Sequence, residues 1–464
     1  MNPWIAAWLF SLISSAGVYF FAHKAKIPRA DSFMVAAATF SSPLFQAISS
    51  TNSFIYSIDF ITPVAIYYAW RSWSVSHRTL RRAATALLFA GGLVPLVIAV
   101  LFSRNPMDLQ FNGINAYRLV GAMALMVRLS ALPRRHAAIN WLCAFSWIAL
   151  TVAAAMMAKL LFGIDSDVYS HGYGLSTSLE TGNEGAFFVM GMFRSAIGMF
   201  GIFAVSAYYC AATGAPRSSF RLIPLLGAIA GLVIAVLAGS KTSLTIIAIV
   251  LAASLVTIGV RSVASTAVLA LVAGFVVWNA DTAQLRHFIP QSVLRFYDSA
   301  GEDRLAFDFR EQRWRDCADS VLRSPLILVG VAPPDSMPVD PDGASPYSLG
   351  YYHNEYVSVS MLGGAWSFIP YLIGLGLLAS LMLSRRSGSP AERFGLIAFA
   401  GGIMQAFTGP HLQPGLLFGA TVSATAAIYG FSCSRLQHSN SPAQLVLLQR
   451  SLGYAPSRPP CPHR

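Results

Sequence analysis

Charged residues are scarce in this sequence. Only 11% of its 464 residues are Asp, Glu, Lys or Arg, whereas 55% are hydrophobic. A water-soluble domain carries about 25% charged residues because its surface must face water. The composition therefore excludes a chain built from ordinary soluble domains.

The sequence also lacks the motifs of a disulfide framework, of a removed signal peptide and of nucleic-acid binding. The five cysteines form no C-x-x-C pair, and only Cys317 falls in the external loop predicted below, so no internal disulfide framework is implied. The apolar N-terminus has no basic n-region or A-x-A cleavage site, which predicts a first membrane span rather than a removed signal peptide. The net charge of +12 is accompanied by no RNA- or DNA-binding motif, so we expect no nucleic-acid partner.

Long apolar runs are what the sequence has in abundance. Each can cross a hydrocarbon core of about 30 Å as a helix, and none alternates in polarity as a barrel strand would. We predict an all-α, polytopic helical membrane protein with about 12–14 transmembrane helices. The predicted spans are 4–22, 33–49, 54–70, 84–102, 115–132, 138–161, 187–212, 222–239, 243–260, 264–279, 354–383, 394–409 and 414–433. The run at 354–383 is long enough to contain a kink.

Basic residues in the short loops predict the orientation. Under strict alternation, every basic loop lies on one side of the membrane, which the positive-inside rule makes the cytoplasm. These residues are Lys24, Lys26, Arg29, Arg71, Arg78, Arg81, Arg82, Arg134, Arg135, Arg217, Arg221, Arg261, Arg385, Arg386 and Arg393.

Four regions follow from this topology. We predict N-terminal transmembrane helices over 1–279, a long external loop over 280–352, C-terminal transmembrane helices over 353–433 and a disordered cytoplasmic tail over 434–464. Within the loop, Phe309, Trp314, Cys317 and Val321 recur near helical spacing, which predicts a helix lying along the membrane face.

His353 and Asn354 stand where the loop re-enters the membrane. A histidine with a pKa near 6.5 suits proton transfer at neutral pH. The alternative is an interfacial anchor rich in aromatic residues, which Tyr351, Tyr352 and Tyr356 would also suit.

Three cations accompany this histidine. Arg310 begins an R-x-x-x-W motif, Lys241 lies in G-S-K between two spans, and Arg194 lies inside or at the outer edge of a span. Lys241 could also be a snorkelling interfacial lysine, and Arg194 could simply reach the headgroups. Together the cations suit an anionic lipid-phosphate donor. Asp340 and Asp342 have D-x-D spacing, but they lie in a Pro-rich run, so we expect a metal-independent site.

Over roughly residues 185–380 the chain resembles the O-antigen ligase and O-antigen polymerase superfamily of bacterial envelope glycosyltransferases. Four features occur in the family's order: G-S-K at 239–241, the long external loop, R-x-x-x-W at 310–314 with Pro and Gly downstream, and H-N at 353–354 followed by Gly-Gly. Three positions depart from the family pattern. Lys241 replaces an arginine, Gly330-Val331-Ala332 replaces G-x-G, and Leu362 stands where an acidic residue is common, although Glu355 is nearby.

The resemblance implies a GT-C-like fold and a function. An inner-membrane enzyme would transfer a glycan from an undecaprenyl-diphosphate-linked donor at the periplasmic face, by inversion and without metal or cofactor. His353 would activate the acceptor hydroxyl, Asn354 would orient it, and Arg310 and Lys241 would bind the diphosphate. Arg194 is a further diphosphate-binding candidate outside the matched motifs.

The motifs are compatible with two acceptors, and therefore with two reactions. We favour polymerisation of O-antigen or exopolysaccharide repeat units, with a chain-length regulator as a further partner. The alternative is ligation to lipid A-core in lipopolysaccharide assembly. A polysaccharide or lipid transporter without chemistry is the hypothesis from another class, although no paired repeats or mid-membrane polar cluster favours it.

Overall fold

The structure is a computed structural model, and it describes residues 2–25, 27–46, 54–103, 105–132, 138–166, 168, 189–190, 194–214, 222–237, 243, 245–251, 304–331, 333–338, 346–347, 352, 354–383 and 390–406. The N-terminal elements are α1 (Pro3–Lys24), α2 (Arg29–Ala38), β1 (Phe45–Gln46), β2 (Phe54–Ile55), α3 (Ser57–Arg71), α4 (Arg78–Leu88), a π-helix (Phe89–Leu93), α5 (Val94–Phe102), α6 (Pro106–Ser130) and α7 (Ala138–Phe162). They are followed by α8 (Arg194–Gly214), α9 (Leu222–Leu237), α10 (Arg304–Arg323), 3₁₀ turns at Pro325–Val329 and Pro334–Ser336, α11 (Glu355–Leu383) and α12 (Pro390–Gln405).

These residues are mostly helical, which confirms the all-α prediction. Within them the β-structure is the short antiparallel ribbon of β1 and β2, in which Phe45 pairs with Ile55. Four of the described helical stretches are long and apolar enough to cross a membrane: Pro3–Lys24, Arg78–Phe102, Asn140–Lys159 and Glu355–Leu381. Each overlaps a span that the hydropathy predicts.

Helix α2 is shorter than the predicted span at 33–49. It ends at Ala38, and the chain then turns toward α1, where the Ser41 and Ser11 hydroxyls share a hydrogen bond of 2.8 Å. The Ser42 amide also donates to the Ser11 hydroxyl at 3.0 Å. Pro43 follows, and a residue before proline avoids helical backbone angles. The apolar run is therefore divided by Ser-Ser-Pro rather than continuing as one helix.

A π-helix interrupts the run from α4 to α5. It contains Gly91 and Gly92, and its wider turn leaves backbone carbonyls without their usual helical partners. The Ser367 hydroxyl of α11 donates to the Ala90 carbonyl at 2.6 Å. The irregular turn is thus stabilised by the helix packed beside it.

Helix α6 carries two ion pairs, one partly buried and one fully buried, at different heights along its axis. Arg118 binds both carboxylate oxygens of Asp59 on α3, at 2.6 and 2.7 Å. Arg128 binds both oxygens of Asp31 on α2, each at 2.7 Å. The two arginines are separated by about 15 Å along α6. They therefore connect α6 to α3 near its middle and to α2 near its C-terminal end.

The helices pack around one large apolar cluster, and a smaller cluster lies under the described part of the long loop. Helix α7 packs against α1, α8 and α9, whereas α11 packs against α4, the π-helix, α5 and the 3₁₀ turn Pro325–Val329. Helix α11 is kinked at Gly364, where φ is +52°, and this confirms that the run at 354–383 contains a kink.

Candidate functional site

The candidate residues differ in how far the structure describes them. His353 and Lys241 lie outside the described residues. Arg310 lies within α10 and Arg194 begins α8, and only the backbone of each is described. Asn354 is fully described and buried. The described neighbours of these residues therefore define the site.

A hydrogen bond joins the loop helix to the residue before His353. Trp314, the last residue of R-x-x-x-W, donates from Nε1 to the Tyr352 carbonyl oxygen at 3.3 Å. Arg310 occupies the position one helical turn before Trp314. The two motifs, distant in sequence, are thus connected through Trp314 and Tyr352.

Asn354 immediately precedes α11 and caps its N-terminus. Its Oδ1 accepts hydrogen bonds from the backbone amides of Tyr356 at 3.0 Å and Val357 at 3.2 Å. These amides belong to the first turn of the helix, where backbone donors have no intrahelical acceptor. In the structure, this side chain therefore caps the helix. Its predicted role in orienting His353 stays a prediction.

The end of α12 connects Ser243, which follows the G-S-K motif in the sequence, to the start of α11. The backbone amide of Glu355 donates to the Ala406 carbonyl at 2.9 Å. The adjacent Gln405 side chain accepts a 3.4 Å hydrogen bond from the hydroxyl of Ser243, two residues after Lys241. Residues flanking Lys241 and His353 therefore meet at the same helix end.

Two glycine-bearing motifs pack backbone to backbone. Gly330, in the segment after R-x-x-x-W, has φ of +82° and lies against Gly363 and Gly364 of α11. A Cβ on Gly364 would lie 2.4 Å from the Gly330 backbone nitrogen, and one on Gly330 would lie 2.9 Å from the Gly363 carbonyl oxygen. Only glycine permits this approach, which explains Gly-Gly after H-N in physical terms.

A small apolar cluster holds the loop on the helices. It contains Val94, Ile98, Cys317, Ile327, Met337, Tyr347, Tyr352, Met361 and Leu362. Leu362, where the resembled family commonly has an acid, is fully buried in this cluster, so a carboxylate would be desolvated there. Glu355 is also buried, at the first turn of α11. Burial raises the pKa of the Cys317 thiol to about 12, and the Asp316 carboxylate adds to this effect.

The polar beginning of α6 was missed by the hydropathy reading, which starts this span at 115. The helix begins at Pro106, and its buried Asp108, Asn112 and Asn115 lie on one face. Asn112 donates from Nδ2 to the Tyr347 carbonyl of the long loop at 3.0 Å. Within the described residues, neither amide atom of Asn115 has a hydrogen-bond partner. The signal available in the sequence was Asn105-Pro106 with Asp108 following, typical of a helix start.

No group of three or more His, Cys, Asp or Glu side chains that could hold a metal ion occurs among the residues described. No protein-family model and no curated protein matches the chain.

Proposed function

We propose that this chain is a polytopic glycosyltransferase of the bacterial inner membrane, with its active face toward the periplasm. It transfers a glycan from an undecaprenyl-diphosphate-linked donor to an acceptor hydroxyl and so polymerises O-antigen or exopolysaccharide repeat units. The observation that carries the proposal is the hydrogen bond from Trp314 to Tyr352, because it joins the R-x-x-x-W helix to the residue preceding His353. The Ser243–Gln405 and Glu355–Ala406 hydrogen bonds support including the segment next to Lys241.

The proposed reaction is a single inverting displacement. His353 takes the proton of the acceptor hydroxyl, and the oxygen attacks the anomeric carbon from the face opposite the diphosphate. The bond from that carbon to the diphosphate oxygen breaks, and undecaprenyl diphosphate leaves with the electron pair. Arg310 and Lys241 stabilise the charge on the departing diphosphate, with Arg194 as a further cation. The mechanism requires no metal or cofactor.

Substitution of the proposed residues tests the reaction. In proteoliposomes supplied with lipid-linked donor and acceptor, His353→Ala and Arg310→Ala are expected to abolish nearly all glycosidic product, while Lys241→Arg retains or improves turnover because arginine can grip the diphosphate with two hydrogen bonds. Arg315→Ala, which removes an exposed arginine from the same helix, is the matched control and should retain activity. Normal turnover by folded His353→Ala would contradict the proposal. Transfer of donor between leaflets without any product would instead support a transporter.

Polymerase and ligase differ in what a deletion strain accumulates. Single repeat units attached to lipid are expected if the chain is the polymerase. Polymer of normal length that remains unattached to lipid A-core would identify the ligase.

A further inference from the structure

The segment 322–331, between α10 and the Pro-rich part of the loop, exposes an unusual number of apolar side chains. Leu326, Leu328 and Val329 are 57%, 52% and 51% exposed, and Leu322 is more exposed still. Ile327 alone among the leucines, isoleucines and valines of this segment is fully buried, in the cluster under the loop. A water-facing turn of this composition would place adjacent large apolar groups in solvent.

Three backbone amides of this segment donate to carbonyl groups within it. The amide of Ile327 donates to Ser324, that of Gly330 to Ile327 and that of Val331 to Leu326, at 3.0–3.1 Å. Backbone in a hydrocarbon environment must be paired internally, because no water is present to pair with it. These pairs lower the cost of placing the turn against lipid.

The place where the segment packs on α11 sets its depth. Gly364, against which the segment packs, is the non-helical residue at which α11 kinks. The helix after the kink, 365–383, is about 28 Å long, close to the thickness of about 30 Å of a hydrocarbon core. If this part of α11 spans the core, Gly364 and the turn packed on it lie at the edge of the hydrocarbon.

The apolar surface of the segment continues onto α11. Trp366 is 65% exposed, and its Cδ1 lies 3.4 Å from the position of a Cβ on Gly330. Ile369 and Ile373 are exposed on the same face of α11, at helical spacing from Trp366. This face belongs to a candidate spanning helix, so its natural contact is lipid.

We infer that residues 322–331 form a lipid-inserted turn, which contacts the acyl chains of the leaflet at the Glu355 end of α11. The occupant is lipid because the exposed apolar side chains of the turn extend the exposed apolar face of a candidate spanning helix, and three backbone amides of the turn are already paired within it. Arg323, exposed at the start of the segment, can extend its charged head to the phosphate layer while the leucines enter the hydrocarbon. The inference requires that α11 spans the membrane, and it is independent of the catalytic roles proposed above.

Environment-sensitive fluorescence tests the inference in the full-length protein. Leu328→Cys and Val329→Cys are labelled with a nitrobenzoxadiazole dye and reconstituted in phosphatidylcholine vesicles, in a background of Cys433→Ser and Cys461→Ser. The described native thiols, Cys143, Cys210 and Cys317, are buried, and the unsubstituted background protein supplies the blank. Asp335→Cys, exposed in the same loop, is the matched control.

Phosphatidylcholine spin-labelled near the top of its acyl chain is expected to reduce emission roughly twofold at 328 and 329, with little effect at 335. Aqueous iodide should show the opposite order. Quenching of 328 and 329 by iodide rather than lipid would place the turn in water and overturn the inference. Protection from both quenchers would indicate a protein cover, such as a second copy, and would overturn it equally.

Discussion

At the scale of single residues, Asn354 shows why a motif residue needs a structural explanation beside a chemical one. Its side-chain oxygen accepts two backbone amides of α11, so substitution disturbs the helix start whatever else the residue does. Catalytic loss in an alanine variant would therefore be ambiguous.

A pair of substitutions separates these roles. Asn354→Ala is expected to lower the free energy of unfolding by about 1 kcal/mol, while Asn354→Ser retains a capping oxygen and most of that stability. Thermal unfolding in detergent measures both. Retained stability with lost turnover in Asn354→Ser would support the proposed contact with His353, and equal destabilisation by Ala and Ser would contradict the capping assignment.

The Cys317 thiol offers a pH-dependent prediction. Burial raises its pKa to about 12, so the neutral thiol persists in the folded protein well above the pH at which an unfolded cysteine ionises. At pH 8 about one such thiol in ten thousand is ionised, and alkylation requires the thiolate. We expect Cys317 to resist iodoacetamide at pH 8, as measured by peptide mass spectrometry.

Ala318→Cys is the control for this experiment, because position 318 is exposed on the same helix and lies outside the segment 322–331. It should be alkylated under conditions that spare Cys317. Because the unfolded thiol ionises at lower pH than the buried one, the contribution of Cys317 to stability is present at neutral pH and declines as pH rises through about 9 toward 12. Equal labelling of the two positions in folded protein would contradict the burial.

At the scale of elements, the long loop is held on α11 by glycine contacts. Gly364→Ala would place a Cβ 2.5 Å from the Leu328 carbonyl oxygen at a residue with φ of +52°. We expect the turn Pro325–Val329 to separate from α11, with faster amide hydrogen exchange in that peptide and loss of the proposed transfer activity. Exchange unchanged in Gly364→Ala would contradict the close packing.

The same helix supplies the control. A Cβ on Gly376 would meet nothing within 4 Å, so Gly376→Ala should leave both the exchange and the activity intact. Its helix propensity improves by about 1 kcal/mol, so any effect on stability should be favourable.

The Arg128–Asp31 pair connects α6 to α2 deep in the bundle. Arg128 also donates to the Ser72 hydroxyl at 2.7 Å and lies over the Tyr68 ring, so its charge is well satisfied. Arg128→Met leaves Asp31 buried without its partner and is expected to cost about 3–5 kcal/mol. Thermal unfolding should show a large loss, whereas Arg78→Met, at an exposed position, should show almost none. If the double variant Arg128→Met with Asp31→Asn recovers thermal stability, the uncompensated charge of Asp31 is the cause of the loss in Arg128→Met.

At the scale of the whole molecule, the proposed topology makes a prediction of its own. The positive-inside rule places the turn after α3 in the cytoplasm and the long loop outside. In intact spheroplasts, an impermeant maleimide is expected to label Asp335→Cys but not Ser74→Cys, which should react only after permeabilisation. Both positions are exposed, so accessibility depends on the side of the membrane. The reverse labelling pattern would contradict the orientation.

Hydropathy predicted most of the helices because each of them contains a long apolar run that is visible in the sequence. It failed where local chemistry competes with hydropathy. Ser-Ser-Pro ended α2 early, and the polar start of α6 was assigned to a loop although Pro106 and Asp108 favour a helix. The burial of Asn115 was not predictable, because it depends on which helices and loop segments pack against that face.

Thus the sequence alone determined the helical class, the apolar stretches and the expected charge asymmetry, since these depend on residues close together in the chain. The tertiary structure decided which motifs meet. Trp314 and Tyr352 are 38 positions apart, and Ser243 and Gln405 are 162 apart. Only packing brings such residues within hydrogen-bond distance. The same packing places the apolar turn at 322–331 beside a spanning helix, because the glycines at 330, 363 and 364 allow the two backbones to touch.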